Sequence, residues 1–581
     1  MDAGRTALAA PEGRASPTRP GAPRLARLAL WIAPLAFLGV FFFYPLGAVL
    51  RIGLIGLSAA NWVKALRETI PRPLWFTFWQ ASLSTLLTLL VGLPGAYVFA
   101  HYEFPGKTLL KALTTIPFIL PAVVVAAAFN ALLGPRGWVN FALMSILGLA
   151  VPPLVLVNTL WAILLAHVFY NTTVVLRIVG NHWAHLDPRW NQAARVLGAG
   201  RTRAFLEVTL PLLWPALLAA ALLVFLFDFT SFGVILILGG PQFSTLEVQI
   251  YVEALQLLNL PVASLVCLVQ LLCTLILTGA YARMTSRTQV ASRPRSQSQV
   301  RIRPQGVLQR GIVAAVVIGL SLLLVSPLAA LGLGSVTRLE ANRAQQGEVR
   351  YGLTLDFYRE LFQNARQSLF YVPPIDAARN SILYGMATVV ISLSLGFLAA
   401  TALSRPGRGN SALDSLLMLP LGSSAVTLGL GLIVTFHRPP VDLHASPLLL
   451  PIAHSLVAFP FVVRSLVPAL ATIPKRLREA AAMLGASPGR AWREVDLPIV
   501  ARAAAVAATF AFAASMGEFG ATSLLARPEY PTLPIAIYRF LSLPGALNYG
   551  QALAMATLLM LVTGLGILLI ERLRLPGVGE F

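Results

Sequence analysis

Charge is scarce in this chain. Asp, Glu, Lys and Arg make up 12% of its 581 residues, apolar residues make up 57%, and the mean hydropathy is +0.75. So small a charged fraction excludes an ordinary soluble globular protein, which needs more polar surface. Cysteine is nearly missing as well. Cys267 and Cys273 fall inside one apolar run, so neither a disulfide framework nor a thiolate metal site has its other members, and both read as small apolar core residues. No cluster of His, Asp or Glu stands at catalytic or metal-ligand spacing in the apolar runs, which argues against a membrane enzyme and leaves no metal site to assign. The triplet Gly106-Lys107-Thr108 lacks the glycine that a phosphate-binding loop needs five residues before Gly106, where His101 stands. No nucleotide site is expected in this chain.

Long apolar runs are what the chain has instead. A bilayer core of about 30 Å takes roughly 20 apolar residues per helix, and about twelve such runs occur. In the first half they lie near Leu28 to Leu50, Leu74 to Ala100, Ala112 to Leu133, Val157 to Leu176, Leu212 to Leu238 and Val262 to Tyr281. In the second half they lie near Gly311 to Leu333, Ser381 to Leu403, Leu416 to Thr435, Leu448 to Val463, Ala503 to Leu525 and Leu547 to Ile570. The expected fold is therefore all-α and polytopic, a multi-pass protein of the lipid bilayer. The first run exceeds the roughly 7–15 residues of a cleavable signal core, so it reads as a retained anchor.

The net charge of +21 invites a nucleic-acid reading, but its placement argues otherwise. Arg5, Arg14, Arg19, Arg24 and Arg27 precede the first run. Arg283, Arg287, Arg293, Arg295, Arg301, Arg303 and Arg310 crowd the stretch from Tyr281 to Arg310, which has no acid. The loop from Gly239 to Pro261 carries Glu247 and Glu253 and no Lys or Arg. Basic segments beside membrane runs mark the cytoplasmic side, so both termini and the arginine-rich stretch are expected inside, with no nucleic-acid partner.

An internal repeat organises the chain. Gln192-Ala193-Ala194, Gly198 and Leu210-Pro211 return 287 positions later as Glu479-Ala480-Ala481, Gly485 and Leu497-Pro498. Arg203, Glu207, Phe232-Gly233 and Ile250-Tyr251 keep the same offset, to Arg490, Glu494, Phe519-Gly520 and Ile537-Tyr538. Six runs per copy is an even number, so both copies enter the membrane in the same direction and form two parallel six-helix repeats. The expected organisation is a basic tail over 1–27, a first half over 28–283 with a loop at 181–211, a linker over 284–310, and a second half over 311–581 with a loop at 471–498. Each loop spends about thirty residues where a plain connection needs only a few. Alanine-rich sequence, a glycine suited to positive φ, and a proline suited to the first turn of the next helix predict a helix, a turn and another helix. A surplus repeated at identical spacing points to docking of a cytoplasmic partner.

Glu479, Ala480, Ala481, Gly485, Val495, Leu497 and Pro498 resemble the signature of the permease subunits of binding-protein-dependent type I ABC importers. The first copy departs from it at Gln192, where that family usually has glutamate. The resemblance covers nearly the whole chain. It implies a coupling helix in each loop, docked in a groove on one of two copies of a separate ABC ATPase subunit that binds the ATP. It implies as well an extracytoplasmic solute-binding protein and a place in a bacterial inner membrane, and Ala193, Ala194, Ala480 and Ala481 would allow close approach.

Two acids interrupt the runs, Asp228 in the fifth and Glu518 in the eleventh. Subtracting the offset sets Glu518 opposite Ser231, one helical turn from Asp228, so these three residues are the candidates for a path that favours a cation. The bland alternative is that each acid is neutralised by a neighbouring run or hydrogen-bonds at a helix break beside Gly233 or Gly517. Fused halves, and the stretches around Gly239-Gly240-Pro241 and Gly517-Glu518-Phe519-Gly520, are similar to the thiamine permeases, with the ferric-iron permeases next. A twelve-span secondary transporter driven by an ion gradient fits the same composition but leaves the duplicated loops without a purpose.

Overall fold

A computed structural model describes residues 24–288, 303–338, 352–363, 373–404, 407, 409–437, 442–443 and 446–573. Most of the basic tail and of the arginine-rich linker, Arg295 included, lies outside the described residues. Without water in the hydrocarbon layer each apolar segment has to bond its own backbone, and the runs accordingly become helices.

Among the described residues, eleven helices are long and apolar enough to cross a membrane, and counting one bent pair as a span brings the number to twelve. In the first half they are α1 (Ala29–Ile55), α2 (Ala59–His101), α3 (Ala122–Leu147) and α4 (Leu160–His185). After the short α5 (Pro188–Val196) come α6 (Arg201–Phe229), the short α7 (Gly233–Leu238) and α8 (Leu246–Tyr251), and α9 (Leu260–Met284). The second half repeats this order. It has α10 (Gly306–Gly334), α11 (Pro374–Leu403), the pair α12 (Asn410–Gly422) and α13 (Ala425–Phe436), and α14 (Leu449–Ala471). The short α15 (Lys475–Met483) leads to α16 (Pro488–Gly517), then α17 (Gly520–Leu525), α18 (Leu533–Ser542) and α19 (Ala546–Ile570).

The repeat extends to individual contacts. In α2 a Cβ built on Gly92 would come within 2.7 Å of Val175 on α4, and in α11 one on Gly396 would come within 2.5 Å of Val462 on α14. A side chain at either glycine would push the helix pair apart. The first helix of each half crosses to the other half. α1 packs on α11 and α13, and α10 packs on α2 and α3. Phe37 meets Phe459 at 6.4 Å between ring centroids, and Phe41 meets Phe436 at 5.7 Å.

Four expected spans are broken. Pro121 forces Leu120 into extended backbone, so the run near Ala112 splits before α3. Its counterpart turns by 93° between α12 and α13. The run Leu212 to Leu238 ends at Phe229 and restarts at Gly233, and the run Ala503 to Leu525 ends at Gly517 and restarts at Gly520. Pro211 and Pro498 fall in the first turn of the α-helical stretches Leu210–Phe229 and Leu497–Gly517, as expected. Each stretch follows a five-residue π-turn, Phe205–Thr209 or Trp492–Asp496, which joins it to the first residues of α6 or α16.

Candidate functional site

Two features repeat in both halves and carry polar chemistry. The first is the loop between α4 and α6, matched by that between α14 and α16. Here the helix–turn–helix expectation holds: α5 ends at Gly198 with φ +91°, and α15 ends at Gly485 with φ +81°. The alanines close the helix ends through their carbonyls. Leu197 and Ala199 donate backbone N–H to Ala193 and Ala194, and Leu484 and Ala486 do so to Ala480 and Ala481. Gln192 and Glu479 are both exposed. A strut missed in the sequence ties each short helix to the next span: Asn191 Nδ2 donates to Thr209 Oγ1 at 3.0 Å, and at the matching positions Arg478 Nε donates to Asp496 Oδ1 at 2.8 Å. The apolar tips are bare. Val196 and Leu197 are 87% and 88% exposed, and the corresponding Met483 and Leu484 are 90% and 89% exposed.

The second feature is a cavity of about 440 Å³ at the paired helix breaks, lined by residues of both halves, among them Asp228, Ser231, Glu518, Glu247 and His167. All three sequence candidates are brought to it, but in unequal roles. Asp228 sits in the last turn of α6, 1% exposed. Glu518 is past the end of α16 in extended backbone, so it does not continue the helical face of Asp228 as the offset alone suggested. Gly517 ends the helix there, and the freed N–H groups of α17 take up the carboxylate: Ala521 N donates to Oε1, and Thr522 N and Oγ1 donate to Oε2, at 2.9, 2.9 and 2.6 Å.

Each acid faces a histidine, and the two histidines are themselves 287 positions apart. His167 on α4 places Nε2 2.8 Å from Ser231 Oγ and Nδ1 3.5 Å from Asp228 Oδ1. His454 on α14 places Nδ1 2.7 Å from Ser515 Oγ and Nε2 3.4 Å from Glu518 Oε2. By the repeat, Ser515 occupies the place of Asp228 and Glu518 that of Ser231. The acid and the serine have thus exchanged places around an unchanged histidine. Thr522 Oγ1 already donates to Glu518, so it accepts from His454 at 2.8 Å, which puts a proton on Nε2 of that ring.

Glu247, expected in an outer loop, is fully buried on α8. It accepts from Gln270 Nε2 at 2.8 Å and, across the two halves, from Ser424 Oγ at 2.9 Å. Beside the acids an aromatic row spans the halves. Tyr251 and Phe232 lie 5.6 Å apart, Phe232 and Phe519 stack at 5.5 Å, and Phe519 and Tyr538 lie 5.5 Å apart. The repeat offset applied to His167 finds His454. No pattern on the chain announces the burial of Glu247.

These features define a polytopic membrane transport protein of two parallel halves with a polar chamber at their junction. The family model described as "Binding-protein-dependent transport system inner membrane component" matches residues 89–290 and 392–575, and the chain belongs to that family as a permease subunit of an ABC importer. It is 28% identical over 488 residues to the thiamine transport system permease protein ThiP of Brucella abortus, a match covering 83% of this chain and 84% of that one. It is 27% identical over 573 residues to the probable ABC transporter permease protein y4fN of Sinorhizobium fredii, covering 96% and 98%. Over 271 residues it is 28% identical to the putative 2-aminoethylphosphonate transport system permease protein PhnU of Salmonella paratyphi A, covering 46% of this chain and 94% of that shorter one.

Proposed function

We propose that this permease moves a solute with a cationic ring, thiamine or one of its phosphate esters, into a bacterium through the inner membrane. An extracytoplasmic solute-binding protein delivers the cargo, and two copies of a cytoplasmic ATPase subunit bind the ATP and drive the cycle. Both termini, the linker and both repeated loops face the cytoplasm in this reading. The observation that carries it is the pair of matching loops whose apolar tips, Val196-Leu197 and Met483-Leu484, are left uncovered at corresponding places. Water-exposed apolar pairs repeated at one spacing suit a groove on a partner better than they suit solvent. Gln192, Ala193, Ala194 and Gly198 would form one coupling surface, and Glu479, Ala480, Ala481 and Gly485 the other.

Asp228, Ser231 and Glu518 line the chamber through which the cargo passes in this reading. The aromatic row lies beyond them along the outward-running chain and closes the chamber on the extracytoplasmic side until closure of the ATPases moves the halves apart. Thiamine is favoured by the long match to a thiamine permease. The decisive experiment is purification of the tagged permease from bacterial membranes. An ATPase subunit should come with it, and vesicles holding the permease, that ATPase and the binding protein should take up thiamine only when ATP is inside. Uptake driven by an ion gradient without an ATPase would establish a secondary transporter instead.

A further inference from the structure

The two walls of the chamber differ, and the difference recurs at two places related by the repeat. Tyr170 and Val457 stand 287 positions apart, as do Phe227 and Ala514. All four line the cavity and keep part of their surface open. The same two places therefore face the cavity in both halves, with an aromatic ring at each on the first-half wall and a small aliphatic group at each on the second. Phe227 is 37% exposed. It lies nearly one helical turn before Thr230, which lines the cavity as well, so this is the chamber face of α6. Tyr170 donates its hydroxyl hydrogen to the Leu120 carbonyl at 2.9 Å, at the break before α3. With that donor committed, the ring is what Tyr170 offers to the cavity.

We infer that Tyr170 and Phe227 form a subsite for a flat ring of the cargo, which lies against the first-half wall in the room that Val457 and Ala514 leave. This rests on the transport reading above and deepens it by naming the residues that select the cargo. Pockets for small solutes run from about 300 to 1,000 Å³, and this cavity, at about 440 Å³, is near the lower end. Rings on both walls would take up much of that space, and small groups on both would leave no face to hold a solute. An aromatic face favours a flat ring set offset or edge-on, and favours it more when the ring carries positive charge. An inorganic ion or an unbranched chain gains little from such a wall, and none of the four places carries a charge.

The preference for a ring can be read without knowing the cargo. In the full permease with its ATPase, and with Cys267 and Cys273 replaced by alanine, Thr230→Cys and, separately, Ser231→Cys put a thiol on the chamber wall. The rate of modification by benzyl methanethiosulfonate is divided by the rate for pentyl methanethiosulfonate in open membrane fragments, so that partition into lipid cancels between variants. Phe227→Leu keeps apolar bulk and should lower that ratio about threefold or more. Tyr170→Leu should lower it as well, and so should Ala514→Leu, which fills the hollow. Phe227→Tyr and Tyr170→Phe should leave it unchanged. A ratio untouched by Phe227→Leu in protein of normal melting temperature overturns the inference, as does an equal fall with Phe227→Tyr. Failure of both thiols to react overturns it too, because the chamber would then be closed to a solute. Thiamine uptake by the reconstituted complex tests the transport reading separately. Its absence beside the expected ratios would remove thiamine as cargo and leave the ring subsite standing, whereas uptake undiminished by Phe227→Leu would remove the subsite and leave the cargo.

Discussion

Phe232 and Phe519 occupy the same position in the two halves and stack on one another, with 5.5 Å between centroids and 27° between ring planes. Two equivalent residues can touch in this way only near the axis that relates the halves, so the pair lies where rigid-body separation would part it first. With Phe232→Cys and Phe519→Cys in a protein lacking Cys267 and Cys273, a two-carbon bis-methanethiosulfonate should join the thiols in the nucleotide-free complex and stop uptake. A reducing agent should restore uptake, and trapping with ATP and vanadate before the reagent is added should cut cross-linking about fivefold or more. Equal cross-linking in both states would remove the aromatic row as a gate.

Coupling should fail at the glycines. A β-branched residue at φ near +81° or +91° costs about 1–2 kcal/mol, so Gly485→Val and Gly198→Val should each misdirect a loop tip while the membrane helices stay folded. Leu484→Asp, at an 89% exposed position, should weaken ATPase docking without altering the melting temperature of the permease. Binding-protein-stimulated ATP hydrolysis in the reconstituted complex is the measurement. Normal stimulation in all three variants would show that the loops do not couple.

Packing between α11 and α14 gives a prediction about stability. Gly396→Val places new atoms where a bare Cβ is already 2.5 Å from Val462, and overpacking of this kind costs about 1–3 kcal/mol. The detergent-solubilised permease should melt several degrees lower. Pairing the change with Val462→Ala should recover part of the loss, and a double variant no more stable than Gly396→Val would place the strain elsewhere.

Sidedness can be read from one residue of the arginine-rich linker. Ser296→Cys in the same cysteine-free background should resist an impermeant thiol reagent on intact cells and react once the cells are opened. Rapid labelling from outside would invert the topology drawn from the arginines.

The membrane helices and the repeat were legible because apolar length and a fixed offset are properties of the chain itself. The loop could be read for the same reason: Gly198 and Gly485 have the residue type that positive φ demands. The breaks were legible only in part, at Gly233 and Gly517, where a break was one of two readings. Leu212 to Leu238 is a continuous apolar run, and its interruption at Thr230–Phe232 is settled by what surrounds it, with Asp228 reaching Asn171 on a neighbouring helix. Composition was likewise silent on how each acid is held. Asp228 and Glu518 look alike as letters, and only the start of α17 beneath Glu518 separates them.

The crossing of α1 and α10 has a consequence for how the gene product is made. Each half lends its first helix to the other, so cohesion comes from interlocking arms, and the joining segment need not hold anything together. What a single polypeptide secures is pairing. Two copies of the first half would bring Asp228 twice and Glu518 not at all to the junction, while one chain carrying both halves yields one of each at every synthesis and at high effective concentration. Unlike halves can therefore diverge, as Asp228 and Ser515 have, without the risk of assembling with themselves.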